Sequence, residues 1–351
     1  MEIKHISHFQ NESTPKSFGI MPDNEEILSF ELSNKNGMKV QIINYGATVT
    51  SLKIPVLNGD IVDVVLGFDT LESYIASYNL PSPPYFGTTV GRYAGRINKG
   101  TFTLNEKTYR LNTNNNGNTL HGGNVGFGKK AWNVINLTSG ENPSITLSLS
   151  SEDLDENFPG TLHVDLTYKL TEDNELKLEY KATTTEDTII NLTHHSYFNL
   201  DGHDASVLDQ TMFIAAEKIV ETNEENIPTG NFTNLSNHDF DFRTVKKCPA
   251  SIDNSFVIEP TNNVVAKLLS SKNNLQMSVY TNQPSVHVYV GGNCFDILKG
   301  KENTNYHPSS GICFETQNFP DAPNHEDFPN SVLKKGDEYH QKTVYKFENI
   351  N

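Results

Sequence analysis

Apolar residues recur at every second position through much of this chain. Leu28, Phe30 and Leu32 alternate with polar neighbours and run into the turn-forming stretch NKNG at 34–37. Ile145, Leu147 and Leu149 alternate, as do Leu162, Val164, Leu166, Tyr168 and Leu170. After TEDN at 171–174 the same spacing resumes at Leu176, Leu178 and Tyr180, and it returns at Val286, Val288 and Val290. A period of two is the mark of a strand with one buried face. Asn58-Gly59, ahead of DIVDVVLGF, signals a hairpin. Helical spacing is scarce. Leu71, Tyr74, Ile75 and Tyr78 predict one short helix, with Asp69 or Thr70 as its cap. Many short strands separated by Gly- and Asn-rich turns predict an all-β sandwich or barrel. No repeat, linker or charge block divides the chain, so the pattern predicts a single domain over residues 1–351.

Charge and cysteine content narrow the classes. A formal net charge of −16 argues against a phosphate-binding surface and so against nucleic acid as a partner. Three cysteines, Cys248, Cys294 and Cys313, form no CxxC pair and cannot all pair with one another. They predict a reducing, cytoplasmic setting and no structural zinc. The start, MEIKHISHFQ, has no apolar signal region, and no apolar run approaches a membrane span.

The same parity locates candidate chemistry. In NLTHHSYFNL, residues 191–200, Ile190 and Leu192 share a parity with His194, whereas Asn191 and Thr193 share theirs with His195. A regular strand therefore turns His194 to the apolar face and His195 to the polar one, unless a bulge intervenes. Glu315 lies opposite Ile312 and Phe314, on the face of Cys313; His287 lies opposite the three valines, on the face of Tyr289. Each such residue on its own fits a strand facing water. Three strands patterned alike favour a groove. GRYAGR, residues 91–96, supplies two arginines able to hold hydroxyls or a carboxylate. His121 precedes Gly122 and Gly123, where a bare backbone lets a ligand approach closely, or simply forms a hairpin. A cupin-like metal site of His194, His195, His121 and Glu315 is disfavoured, since adjacent histidines point apart and no HxH spacing occurs. A GxSxG elbow and a Gly-rich phosphate loop are absent as well. Metal-free acid–base chemistry with His and Glu, or plain binding, remains.

Longer motifs then carry a resemblance. NYGATVTSLKIP, DVVLGFDTLESY, YFGTTVGRYAGRINKGTF, NTLHGGNVGFGKKAW, NLTHHSYFNL, FDFR, DNSFVI and GICFETQNFPDAPN follow one another along nearly the whole chain. In these motifs and their order the chain resembles the aldose 1-epimerase (galactose mutarotase) family. The resemblance implies a large antiparallel β-sandwich, the galactose mutarotase-like supersandwich, with few short helices. It implies interconversion of the α and β anomers of a free aldose such as galactose or glucose, without a cofactor. By the family's pattern Glu315 is the general base and His195 the general acid. Arg96, His121, Asp253 and His287 then bind the sugar. The protonated histidine this requires is expected to have its pKa held up by a nearby carboxylate. Relatives often carry Asn where this chain has Gly95, Asn at His194 and Gln at His287, which leaves the preferred hexose open. A relative acting on hexose 6-phosphates and a non-catalytic sugar-binding protein on the same sandwich are the alternatives. The oligomeric state is not legible.

Overall fold

The computed structural model describes residues 14–259, 263–293 and 299–350; Cys294 lies outside them. Three antiparallel sheets dominate, of nine, six and five strands. The alternating segments lie where their pattern predicts. Ser144–Ser151, Leu162–Leu170 and Glu175–Thr184 pair in sequence order within the nine-stranded sheet. Leu162, Val164, Leu166, Tyr168 and Leu170 are all completely buried. A one-residue slip would turn all five to the other face, at a cost on the order of 10 kcal/mol from about 1.5–3 kcal/mol each, so the register is fixed. The last strand, Tyr339–Asn349, lies at the centre of the sheet, pairing with Glu175–Thr184 on one side and Leu275–Thr281 on the other.

The hairpin predicted at Asn58-Gly59 joins Thr48–Pro55 to Ile61–Asp63 in the five-stranded sheet. The NKNG turn joins Glu26–Ser33 to Lys39–Ile43. The helix spans Leu71–Ser77, and its cap is Thr70, whose hydroxyl accepts from the Ser73 amide. Among the described residues no helix is long and apolar enough to cross a membrane.

The six-stranded sheet carries the site. Its order runs Tyr197–Phe198, Ile312–Gln317, Ser285–Val290, Ile252–Val257, Lys218–Thr222 and Pro228–Asn234. Val286, Val288 and Val290 join Phe314, Ile252 and Phe256 in the main core, which also takes in the inner face of the nine-stranded sheet. Polar bonds pin the two sheets at their centres. Tyr345 donates to the Phe314 carbonyl at 2.9 Å, and the Gln341 amide to the Thr316 carbonyl at 2.9 Å. The strand bearing Glu315 is therefore held from behind by the central strand of the larger sheet.

Candidate active site

Register assembles the face opposite the valines. Ser255 pairs with His287, and His287 with Glu315, so these three form one row across adjacent strands. Asp253 pairs with Tyr289, Tyr289 with Cys313, and Cys313 with Tyr197, which form the next row. Side chains paired across strands stand about 4.5–5.5 Å apart at Cβ, so both rows meet in one patch. None of the three ionisable groups faces open water: His195 and Glu315 are buried, and His287 is half-buried. The segments around Tyr85, Arg96 and His121 cover the patch and leave a cavity of about 350 Å³. All six residues singled out by sequence line it: Arg96, His121, His195, Asp253, His287 and Glu315.

The adjacent histidines divide as parity predicts. Thr193 and His194 pair with Val90 and Thr89, and the His195 amide continues the ladder to the Thr88 carbonyl. No bulge intervenes. His194 lies in the core against Tyr168 and Tyr345, with Nε2 bonded to Ser196 Oγ at 2.7 Å. Burial pushes its pKa down to about 3, so it is a neutral packing residue. His195 turns to the cavity, where Nε2 stands 3.5 Å from Glu315 Oε1. Its ring is sandwiched between Tyr197, at 5.2 Å and 19°, and Tyr85, at 5.9 Å and 25°. Cys313 Sγ lies 3.5 Å from Nδ1. The donor atoms of His195, Cys313 and Glu315 fall within 4.8 Å of one another. Their closest approaches use different ring nitrogens, Nδ1 for Cys313 and Nε2 for Glu315.

The remaining residues are held by their neighbours. Arg96 pairs across strands with Leu120, which brings His121 alongside Gly95. The Gly95 amide donates to His121 Nδ1 at 3.3 Å, leaving Nε2 to carry the proton. Gly95 has φ +78°, and a Cβ there would sit 2.9 Å from Pro320. Asparagine tolerates that backbone region, but this packing requires glycine. Arg96 Nε donates to Asn115 Oδ1 at 3.2 Å. Asp253 receives Asn226 Nδ2 at 3.0 Å on one oxygen and His287 Nε2 at 2.8 Å on the other. His287 Nδ1 contacts Ser255 Oγ at 2.9 Å, so both of its ring nitrogens are engaged.

One expectation needs correction, and one open choice narrows. The surroundings of Gly122 and Gly123 favour the packing reading of these glycines over ligand approach. A Cβ at Gly122 would meet the Gly91 carbonyl, and one at Gly123 the Glu156 carboxylate. They pack the loop, while Glu156 accepts the Asn124 and Val125 amides. The His195 pKa is also lowered, not held up. Burial disfavours the imidazolium more than Glu315 favours it.

The sequence model of the family described as aldose 1-epimerase matches residues 29–346. The chain belongs to the aldose 1-epimerase family. Galactose mutarotase from Bos taurus is 38% identical over 321 residues, covering 88% of this chain and 91% of that protein. Aldose 1-epimerase from Escherichia coli (strain K12) is 30% identical over 345 residues, covering 93% and 97%. Among solved structures, an aldose epimerase homologue from C. elegans superposes with a TM-score of 0.83 at 32% identity, covering 92% of this chain and 98% of that one. Galactose 1-epimerase from Lactobacillus acidophilus also gives 0.83, at 25% identity, covering 97% and 99%. The chain is thus an isomerase on a mutarotase-like sandwich.

Electrostatics within this pocket are uneven. Burial pushes His121 well below the ordinary histidine value, helped by His195, Arg96 and His287. Burial also works against the His287 imidazolium, but the bond and charge of Asp253, with Glu315 beyond, outweigh it and raise its pKa. The Asp253 carboxyl is pushed up by burial and pulled down further by His287, Arg96 and His195, so it lies below the ordinary carboxylate value. Sequence reasoning missed Tyr85, Asn115, Asn226 and Ser255. Strand parity was sufficient to find Ser255, which shares its face with Asp253. The other three act from loops, where no periodicity marks them.

Proposed function

We propose that this protein interconverts the α and β anomers of a free aldohexose by opening and reclosing the pyranose ring, with Glu315 as general base and His195 as general acid. The observation that carries the reading is the approach of Glu315 Oε1 to His195 Nε2 at 3.5 Å in the wall of a 350 Å³ cavity. The ring oxygen and the C1 hydroxyl are bonded to the same carbon, so two groups this close reach both. Glu315 takes the hydroxyl proton while His195 protonates the ring oxygen, and the C1–O5 bond breaks to give the aldehyde. Rotation about C1–C2 presents the other face, and the two protons return as the ring closes. The competent form of the pair is singly protonated. At 3.5 Å the two groups are at the outer limit of a hydrogen bond and are not locked to each other. Each is asked for roughly 10²–10⁴-fold.

Arg96, Asp253 and the neutral His121 supply the donors and acceptors that hold ring hydroxyls. A cavity at the small end of the roughly 300–1,000 Å³ common for ligand sites suits a monosaccharide. One observation favours a phosphorylated substrate: Lys129 also lines the cavity. Its ammonium is already bonded to the Asn124 carbonyl at 2.6 Å and stands 5.0 Å above the Tyr78 ring. Free hexose is therefore the preferred reading. Buried Cys248 and Cys313 thiols suit a reducing, cytoplasmic setting.

Polarimetry with pure anomers of galactose, glucose and glucose 6-phosphate tests this. The protein should speed relaxation of both free sugars well beyond the spontaneous rate and act poorly on the phosphate. No acceleration for any of the three overturns the enzymatic reading; acceleration of the phosphate alone transfers it to phosphorylated hexoses.

A further inference from the structure

His287 belongs to the pocket but has no ring nitrogen left for a sugar. Nε2 is 2.8 Å from Asp253 Oδ1 and Nδ1 is 2.9 Å from Ser255 Oγ. Its side chain stands in the same row as Glu315 on the adjacent strand. We propose that His287 is a positioning residue acting through charge: as an imidazolium clamped by Asp253 and Ser255, it keeps protons off His195, and so sets the pH at which the Glu315–His195 pair loses its shared proton. This rests on the acid–base reading of the site.

The groups around His287 define the balance. Asp253 faces it from one neighbouring strand and Glu315 from the other, both favouring its charge. Arg96, from the covering segment, opposes it. The charge on His287 in turn disfavours protonation of His195 and of His121. Three histidines and two carboxylates thus share few protons, and the one with a 2.8 Å carboxylate partner holds its proton best. His195, sandwiched by tyrosines and lacking so close a partner, is left able to give and take one. The arrangement favours the charge on His287 and leaves the mobile proton to the pair.

The test is the pH profile of kcat/KM for wild type and His287→Gln. Glutamine fills similar space and retains bonds to Asp253 and Ser255, but carries no charge. Without the cation, His195 binds its proton more tightly, so the alkaline limb moves to higher pH, by roughly half to one pH unit. A merely structural role lowers the height and leaves that limb in place; that result, or a move to lower pH, overturns the proposal. If His287→Gln does not fold, NMR titration of the histidine rings in the wild-type protein decides. His287 should hold its proton to higher pH than His195, and the reverse order overturns the proposal. An inactive wild type would instead count against the mutarotase reading itself, which these arms keep separate.

Discussion

Glu315→Gln is expected to lower kcat for anomer interconversion at least about a hundredfold while leaving hexose affinity within a few-fold. Glutamine keeps the shape and hydrogen-bonding reach of glutamate but does not accept the C1 hydroxyl proton at neutral pH. A hundredfold corresponds to about 2.7 kcal/mol of transition-state stabilisation. The ring hydroxyls should still find Arg96, His121 and Asp253, none of which contacts Glu315 through a hydrogen bond. The strand itself is not at risk. Phe314 and Thr316, on the opposite face, keep their bonds to Tyr345 and Gln341. Titration calorimetry beside turnover separates the cases. An equal loss of binding and rate makes Glu315 a hydroxyl ligand and moves the base to Asp253, the other carboxylate among the described residues lining the cavity.

His195→Asn should be comparably damaging, and His194→Asn should not. Asparagine at 195 has no group able to give and take a proton, so the ring oxygen loses its proton donor and kcat falls roughly 10²–10⁴-fold. The fold should tolerate the change, because the His195 backbone bonds to Thr88 and Gly87 do not involve the ring. His194 presents the opposite case. Its ring packs between Tyr168 and Tyr345 and bonds Ser196, with its pKa pushed down to about 3. Replacing it with a shorter amide leaves a small cavity and a changed bond, costing roughly 1–3 kcal/mol of stability, while kcat stays near wild type. Thermal melting and kcat measured on both variants check this. A dead His194→Asn with an active His195→Asn would reverse the assignment of faces.

Much of this site was legible because β-structure converts sequence parity into direction. Val286, Val288 and Val290 fixed which way His287 points, and Ile312 with Phe314 did the same for Glu315. Ile190 and Leu192 distinguished two identical neighbours, His194 and His195. What parity does not give is which strands lie side by side. The Asp253–His287 pair depends on a register between segments some thirty residues apart, and the stretch of chain between them carries no sign of it. The loops were less legible still. Asn115 holds Arg96, and Tyr85 reaches His195 from a backbone at φ +55°, by contacts no local rule specifies. Gly122 and Gly123 showed the converse limit: their need for glycine is real, but the crowding comes from Gly91 and Glu156, not from a ligand. The proton affinity of His195 is not legible, because the sequence indicates the carboxylate beside it but not the burial of the ring, and burial wins.

The central claim is that Glu315 and His195 move two protons as one unit. The most direct measurement is kcat for Glu315→Gln, His195→Asn and the double variant, on free galactose, with hexose affinity determined for each. Removing either member leaves the other without its counterpart, so effects within such a unit do not add. The double variant should retain a rate within a few-fold of the slower single variant. If the two losses instead multiply, the residues act independently, and the paired acid–base mechanism is wrong.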